Sequence, residues 1–333
     1  MKTKFLLLAP VAAIALSACS LNGKVYQPSD YIKNLSVALN NGEFRILQLT
    51  DTHIGDKDDF KLHSKFMDLT INDAKPDMII VTGDLFTFAS KSTALEFFNW
   101  LDGHNVPWTV TFGNHDEQCY FSVDWMTSTL NDFGSNCIFL DLQDDKVQGN
   151  ANFAINLINK ANGKVFEQLI IMDSNRYYYG DYFGYDCFKQ NQIDWYKDLV
   201  KYTAKEVNGN EDTPVQSLMF YHIPLPEIND AYAYGKEKGI LTGVKNEDTC
   251  PPDHDFHFFE TIKGLGSTKG MFFGHDHIND FRVVYEGVEF VYGLKSTDRI
   301  YYDDGMLGGQ VISLKENGSY DITQFHHAYK EVK

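Results

Sequence analysis

The fold of this chain is decided by the stretch Arg45-Ile46-Leu47-Gln48-Leu49-Thr50-Asp51-Thr52-His53. Its first part is short and mostly apolar, which is typical of a buried β-strand. Its last part is polar and carries a carboxylate and an imidazole. In open α/β sheets, ligands bind beyond the carboxyl ends of the strands. The stretch therefore indicates a strand that carries a functional loop at its carboxyl end.

Four more polar clusters follow short apolar runs in the same way. The runs at 78–82, 107–112, 215–221 and 271–273 are predicted to be buried strands. Because loops that leave such strand ends can converge, we expect the clusters to form one site. The clusters are Gly83-Asp84, Gly113-Asn114-His115-Asp116, His222 and Gly274-His275-Asp276-His277.

Strand and helix signals alternate along the chain. Apolar spacing predicts helices at 60–74, 93–101 and 190–207, and glycine-containing turns predict hairpins in the middle and at the end. This order predicts an α/β (α+β) domain with two facing mixed β-sheets flanked by helices. With 333 residues, 43% of them hydrophobic, we expect one large domain over residues 43–333.

The charge of the chain restricts its partners. The formal net charge is −17, and Lys and Arg are not clustered. A nucleic-acid duplex is therefore not an expected partner, because binding it requires clustered cations that neutralise its phosphates. A phosphate-containing substrate would have to be attracted locally, by bound metal.

The beginning of the chain is typical of an exported bacterial lipoprotein. Residues 1–18 combine a short positive start with an apolar stretch, which predicts a signal peptide. The sequence Leu16-Ser17-Ala18-Cys19 resembles a lipobox, so Cys19 would be lipidated and would anchor the chain to the cell-envelope membrane, outside the cytoplasm. The alternative is an ordinary cleaved signal with an incidental cysteine. Residues 19–42 are predicted to hold the lipidated cysteine and a tether.

Four cysteines remain after Cys19. In an exported chain they could form two disulfides, with three alternative connectivities, or stay unpaired in a domain of this size. Cys-x-x-Cys spacing is absent from the sequence, so a thiolate-ligated zinc site is not expected. The four are Cys119, Cys137, Cys187 and Cys250.

The five clusters supply the ligand types that two catalytic metal ions require. Such ions lie roughly 3.5–4 Å apart and share a bridging carboxylate, for which Asp84 is the candidate. Mixed nitrogen and oxygen donors suit manganese, iron or zinc better than calcium or magnesium, which prefer oxygen. We therefore expect two divalent or trivalent transition-metal ions.

The ordered set Asp-x-His, Gly-Asp, Gly-Asn-His-Asp, His and Gly-His-x-His, over residues 51–277, resembles the calcineurin-like metallophosphoesterase superfamily. The resemblance implies a four-layer αββα sandwich around a dinuclear metal centre. It assigns one ion to Asp51, His53, Asp84 and His277, and the other to Asp84, Asn114, His222 and His275.

Two further segments, 220–226 and 274–281, resemble the branch related to purple acid phosphatases, which includes the Dcr2-like phosphatases. Purple enzymes have Gly-Asp-x-x-Tyr, whereas Thr87 stands at the tyrosine position here. Without that phenolate, a purple ferric absorption band is not expected.

The resemblance also implies a reaction, the hydrolysis of a phosphoric ester by hydroxide that bridges the metal ions. His115 is expected to face the substrate and act as general acid, help that is typically worth about 10²–10⁴ in rate. Asp116 would orient the His115 imidazole. Arg176 would contact the substrate phosphate, beside Asn114 and His115, or would form a structural salt bridge.

Three functions are compatible with these residues. A phosphomonoester hydrolase acting as a monomer is the leading prediction, and a phosphodiesterase or nucleotidase would use the same ions on another leaving group. A non-catalytic surface lipoprotein is the third. The intact ligand set argues against it, because a degenerate scaffold usually loses several ligands.

Overall fold

The computed structural model describes residues 24–58, 60–181 and 183–332. The predicted signal peptide and Cys19 lie outside these ranges. The strands are β1 (Ile32–Val37), β2 (Glu43–Leu49), β3 (Met78–Thr82), β4 (Trp108–Thr111), β5 (Phe153–Asn159), β6 (Val165–Ile171), β7 (Tyr177–Tyr179), β8 (Phe183–Tyr185), β9 (Ser217–Phe220), β10 (Thr268–Phe273), β11 (Arg282–Tyr285), β12 (Val288–Tyr292), β13 (Gly308–Lys315) and β14 (Tyr320–His326). The α-helices are α1 (Phe60–Ala74), α2 (Lys91–Gly103), α3 (Val123–Asn131), α4 (Gln190–Asn208), α5 (Ile228–Lys238) and α6 (Phe258–Leu265).

The strands form two large mixed sheets and one small hairpin. The larger sheet has the order β1-β5-β6-β9-β10-β12-β11, and the smaller has the order β14-β13-β2-β3-β4. Strands β2, β3 and β4 run parallel in one sheet, and β6, β9, β10 and β12 run parallel in the other. Strands β7 and β8 form a separate two-stranded hairpin.

The larger sheet is buried on both faces. In β9, Leu218 and Phe220 belong to the core shared with the smaller sheet and α1–α3, whereas Met219 belongs to the core formed with α4–α6. Because side chains alternate between the faces of a strand, this division places the sheet between two layers. The predicted αββα sandwich of two facing mixed sheets flanked by helices is confirmed.

Helix α4 illustrates how the outer layers form. Its buried residues Ile193, Tyr196, Leu199 and Val200 recur at intervals of three and four, so they lie on one helix face. Burying each large apolar side chain contributes roughly 1.5–3 kcal/mol. The helix ends at Gly209, whose φ of 72° suits the left-handed conformation of a helix C-terminus.

Part of the predicted tether belongs to the fold. Strand β1 pairs in parallel with β5, with Leu35 opposite Leu157. The tether prediction is therefore wrong for residues 32–37. This edge strand is mostly half-buried or exposed, so its sequence lacks the apolar run by which the interior strands were recognised.

A polar contact joins the two sheets beneath the strand ends. The buried Gln48 side-chain amide of β2 donates to Thr82 Oγ1 at 2.9 Å and to the Phe273 carbonyl of β10 at 3.2 Å. Gln310 of β13 donates to Gln48 Oε1 at 2.7 Å. Because these groups are buried, losing a partner would cost about 1–3 kcal/mol. The network therefore fixes the separation of the sheets where the polar loops begin.

One buried carboxyl makes the stability of the fold depend on pH. Glu167 of β6 is fully buried, and among the described residues neither of its carboxyl oxygens has a hydrogen-bond partner. Burial raises its pKa well above the usual value, and Lys269 opposes this only in part. The pKa of Glu167 is therefore higher in the folded protein than in the unfolded chain, where it is near 4.3. Its contribution to the free energy of unfolding is fully present below the unfolded pKa and is lost as the pH rises through the folded pKa.

We therefore expect Glu167→Gln to stabilise the protein at pH 8 by about 1–3 kcal/mol, since it removes the cost of burying a charge. Urea unfolding between pH 5 and pH 9 measures this. Above pH 5, the wild type should lose stability faster than the variant. Parallel pH profiles would contradict the assignment.

Candidate metal centre

The polar clusters lie together at one edge of the two sheets. Asp51, Asp84 and Asn114 follow β2, β3 and β4, while His222 and His275 follow β9 and β10 of the other sheet. The first two loops are joined by backbone hydrogen bonds from His53 N to Asp84 O at 2.9 Å and from Asp51 N to Gly83 O at 3.2 Å. The strand ends thus bring both sheets into one site, as the sequence predicted.

Four ligand residues form the first cluster. Asp51, His53, Asp84 and His277 each offer one ligand atom, and these atoms lie within 4.8 Å of one another. His53 Nε2 lies 3.6 Å from Asp84 Oδ2, and His277 Nε2 lies 3.5 Å from Asp51 Oδ1. All four residues are buried. Two imidazoles and two carboxylates around one point form a suitable donor set for a transition-metal ion.

The second cluster shares Asp84 with the first. Ligand atoms of Asp84, His222 and His275 also lie within 4.8 Å of one another, and His222 Nε2 is 3.2 Å from Asp84 Oδ2. Among the described residues, three buried atoms of the predicted ligands of the second ion have no hydrogen-bond partner: Asn114 Oδ1, His222 Nε2 and His275 Nε2. Buried polar atoms are normally satisfied. These orphaned atoms fit ligands that face a cation.

Hydrogen bonds at the far side of the rings orient the imidazoles. His222 Nδ1 donates to the Thr82 carbonyl at 2.9 Å, and His277 Nδ1 donates to the Tyr301 carbonyl at 2.9 Å. Each carbonyl can only accept, so Nδ1 keeps its proton and Nε2 is the nitrogen whose lone pair can bind a cation. The Thr87 hydroxyl lies 2.8 Å from His53 Nδ1. Thr87, which stands where the purple enzymes have tyrosine, therefore supports a ligand here.

The backbone of the ligand loops is strained. Asp51, His53, Asp84 and His275 all have positive φ, at 52°, 46°, 48° and 82°. Each non-glycine residue in such a region costs of order 1–3 kcal/mol, and strain of this kind clusters at functional sites. The surrounding packing must hold all four residues in these conformations.

Two glycines of the motifs are required by close approach. A Cβ added to Gly274 would lie 2.0 Å from Thr50 Oγ1 and 2.4 Å from Asp51 Oδ2. A Cβ added to Gly113 would lie 2.3 Å from Asp84 Oδ1. No larger residue fits without displacing a ligand carboxylate.

The pKa shifts favour the cation-binding forms of Asp84 and His275, which are the ionised carboxylate and the neutral imidazole, whereas His222 is the exception. Burial disfavours ionisation of Asp84, but the neighbouring His222 and His53 imidazoles hold the pKa of Asp84 well below the usual range. Burial and the neighbouring His222 lower the pKa of His275 to about 3, which keeps it neutral. Burial also lowers the pKa of His222, but Asp84 and Asp51 outweigh it and raise the value to about 10. A cation that binds here would therefore displace a proton from His222.

A buried lysine that sequence reasoning missed lies under the first cluster. Lys295 is 1% exposed, and its Nζ donates to the Asp51 carbonyl at 2.8 Å. Burial lowers its pKa to about 8, against the attraction of Asp51 and Asp84. Lys295 follows β12, so the strand-end rule that found the ligands could also have found it. Its ammonium group partly offsets the charge of the ligand carboxylates.

The prediction that Asp116 orients the His115 imidazole is wrong. Asp116 accepts instead from the backbone N–H groups of Gly113 at 2.8 Å and Phe86 at 3.0 Å. The partner of His115 Nδ1 is Gln118 Oε1, at 2.9 Å. Residues 116–118 form a 3₁₀ turn, in which side chains three positions apart align, so Gln118 rather than Asp116 meets the ring. Asp116 shapes the loop that carries Asn114 and His115.

The structure gives Arg176 structural partners. Its guanidinium donates to Asn150 Oδ1 at 2.8 Å and lies 3.5 Å from Asp173. These contacts correspond to the salt-bridge alternative rather than to a phosphate contact. Of the two cysteine alternatives, the structure has the unpaired one, with Cys119, Cys137, Cys187 and Cys250 all free.

Two carboxylate–imidazole clusters that share one aspartate, at the strand ends of an αββα sandwich, define a metallophosphoesterase-type site. The model of the calcineurin-like phosphoesterase family matches residues 44–327. The chain belongs to this family. The family and the clusters together indicate a two-metal site.

Relatives support a hydrolase of this family. The chain is 26% identical over 285 residues to the protein named "Probable inactive purple acid phosphatase 14" of Arabidopsis thaliana, covering 76% of this chain and 70% of that protein. It is 26% identical over 270 residues to phosphatase DCR2 of Saccharomyces cerevisiae, covering 73% and 45%. A dimetal phosphatase from Danio rerio aligns with a TM-score of 0.51 at 13% identity, over 86% of this chain and 99% of that one, and shows the shared fold.

No helix in the described ranges has the length and apolar character needed to cross a bilayer.

Proposed function

We propose that this protein hydrolyses phosphomonoesters with the help of two metal ions. The observation that carries the proposal is the pair of clusters that share Asp84, together with the three buried side-chain atoms that have no hydrogen-bond partner in the described part of the chain. A degenerate site would not be expected to keep seven ligand residues with their supporting hydrogen bonds.

The residues present fit two ions of manganese, iron or zinc. One ion would be held by Asp51, His53, Asp84 and His277, and the other by Asp84, Asn114, His222 and His275. When bound, such ions supply hydroxide near neutral pH as the nucleophile and offset the charge that develops on the phosphoryl oxygens. The chain itself supplies the ligands, their orientation and the handling of protons.

In this proposal, His115 protonates the leaving oxygen. It is half-buried, whereas His53, His222, His275 and His277 are buried. Its backbone N–H donates to Asp84 Oδ1 at 2.8 Å, and its Nδ1 is held by Gln118. With Nδ1 occupied, Nε2 of the protonated ring can donate a proton to the departing alcohol, as general acid catalysis requires.

Removing the metal should abolish turnover. The chain without its predicted signal peptide, assayed on p-nitrophenyl phosphate and bis-p-nitrophenyl phosphate, should prefer the monoester. A chelator should reduce the rate by at least about a hundredfold, because the nucleophile depends on the ions. Added manganese, zinc or iron should restore the activity.

The control is the same chelator saturated with zinc, which should leave the rate unchanged. A preference for the diester would replace the monoesterase by a phosphodiesterase. The absence of chelator-sensitive turnover of either substrate would refute the enzyme proposal.

A further inference from the structure

The structure assigns a substrate contact to Tyr177 on the β7–β8 hairpin. We propose that its phenol donates a hydrogen bond to a phosphoryl oxygen of the bound substrate. The inference rests on the proposed function and concerns a residue outside the metal ligands.

The hydroxyl of Tyr177 is hydrogen-bonded to Asn114 and Gln118, which belong to the loop that carries His115. Its Oη accepts from Asn114 Nδ2 at 2.9 Å and from Gln118 Nε2 at 3.3 Å. Gln118 in turn holds His115 Nδ1. The phenol oxygen is therefore one hydrogen bond from a proposed ligand of the second ion and two from the proposed general acid.

Among the described residues, the hydrogen bonds of the phenol leave its proton without an acceptor. A tyrosine hydroxyl has one donor hydrogen and two acceptor lone pairs. The amide groups of Asn114 and Gln118 are both donors here, so they occupy the lone pairs. The O–H bond must then point toward a third group, on the side of the site that the two amides leave open.

The position of Asn114 indicates where a bound phosphoryl group would lie relative to the Tyr177 hydroxyl. Because Nδ2 donates to Tyr177, Oδ1 is on the other side of the amide, where it is buried and has no hydrogen-bond partner among the described residues. A phosphoryl oxygen that binds beside the second ion would lie next to Asn114. It would then be within reach of the Tyr177 hydroxyl, and an O–H donor to an anionic oxygen makes a strong hydrogen bond.

The ring of Tyr177 is held in place by other aromatic rings. It lies nearly parallel to Phe183, at 5.5 Å between centroids and 20°, and to Tyr185, at 5.8 Å and 24°. Tyr185 meets the ring of His275 edge to face at 4.3 Å. The hairpin is therefore packed against a proposed metal ligand, which fixes the phenol relative to the site. Such preorganisation is needed for a contact that stabilises a transition state.

The test is Tyr177→Phe, which keeps the stacked ring and removes only the hydroxyl. We expect the inhibition constant of inorganic phosphate and the value of kcat/KM each to worsen by about 10- to 100-fold, as for a lost hydrogen bond to a charged group. The loss in kcat/KM should be the same for aryl phosphates whose leaving groups differ in pKa. Metal content and the unfolding midpoint should not change.

Tyr179→Phe is the matched control. Tyr179 lies on the same strand, but it is 72% exposed and its hydroxyl faces Glu117 at 3.3 Å. This variant should retain wild-type phosphate inhibition and turnover.

Three results would overturn the assignment. Unchanged phosphate inhibition would show that the hydroxyl does not contact the phosphoryl group. A loss that grows with leaving-group pKa would place the contact at the leaving oxygen. Loss of a metal ion would reduce Tyr177 to a positioning residue for Asn114.

Direct phosphate binding separates this inference from the proposed function. Calorimetry with inorganic phosphate on the metal-loaded wild type and Tyr177→Phe does not require turnover. If the wild type shows no chelator-sensitive activity, the proposed function fails. Weaker phosphate binding by the variant would still support the contact, and equal binding would overturn it.

Discussion

Replacing Asp84 with Asn should reduce the metal content from two ions per chain to fewer than one and should lower kcat/KM by at least about a thousandfold. Asp84 belongs to both ligand clusters, so one substitution weakens both sites. It also accepts the backbone N–H of His115 and pairs with His222. Metal-ion catalysis is worth several kcal/mol, which corresponds to about 10³ in rate. Elemental analysis and a substrate titration measure the two effects.

Asp321→Asn is the control for this substitution. Asp321 is largely exposed and pairs with Lys315 at the surface, an interaction worth about 0–1 kcal/mol. Wild-type metal content and activity are expected for it. An Asp84→Asn protein that folds and keeps both ions would rule out the bridging role.

Replacing His115 with Ala should reduce kcat by about 10²–10⁴ and leave the metal content unchanged. The backbone N–H of His115 donates to Asp84, and alanine also provides this N–H. The His115 ring meets the His53 ring edge to face at 4.9 Å, a contact that supplies no ligand atom. The loss should be largest for alkyl phosphates and smallest for activated aryl phosphates, because a good leaving group needs less help from an acid. A series of substrates assayed on wild type and variant measures this dependence.

The matching control is His257→Ala, because the His257 side chain is 83% exposed. It should behave as the wild type. Equal turnover of alkyl phosphates by wild type and His115→Ala would exclude His115 as the general acid. Loss of metal from the His115 variant would instead make the residue part of the metal site.

The residues that form the two clusters could be predicted from sequence because the loop that carries each of them follows an apolar run. A strand such as β3 fixes where Asp84 emerges, and the parallel arrangement of neighbouring strands brings these ends together. The bounds of α1 and β3 were also predicted correctly, since their apolar spacing is regular and Pro76 lies just beyond α1.

The missed elements have weak patterns of their own. Helix α5 has few buried residues and a mostly polar sequence, so its helical spacing is indistinct. Strand β1 lies at a sheet edge and is half exposed. The β7–β8 hairpin has only three residues in each strand and is stabilised by aromatic stacking between the strands.

The role predicted wrongly for Asp116 depends on tertiary geometry rather than on the order of residues along the chain. Asp116 follows His115, which suggested a contact, but the 3₁₀ turn directs Gln118 to the imidazole instead. Tyr177 reaches the site from another part of the sequence, through its contact with Asn114. Contacts of this kind follow from how the two sheets pack, which local patterns do not determine.

The most direct test of the two-metal account is anomalous diffraction from crystals of the manganese-loaded protein. The account predicts two anomalous peaks roughly 3.5–4 Å apart, with Asp84 between them, one beside His53 and His277 and the other beside His222 and His275. A single peak, or peaks away from these residues, would contradict it.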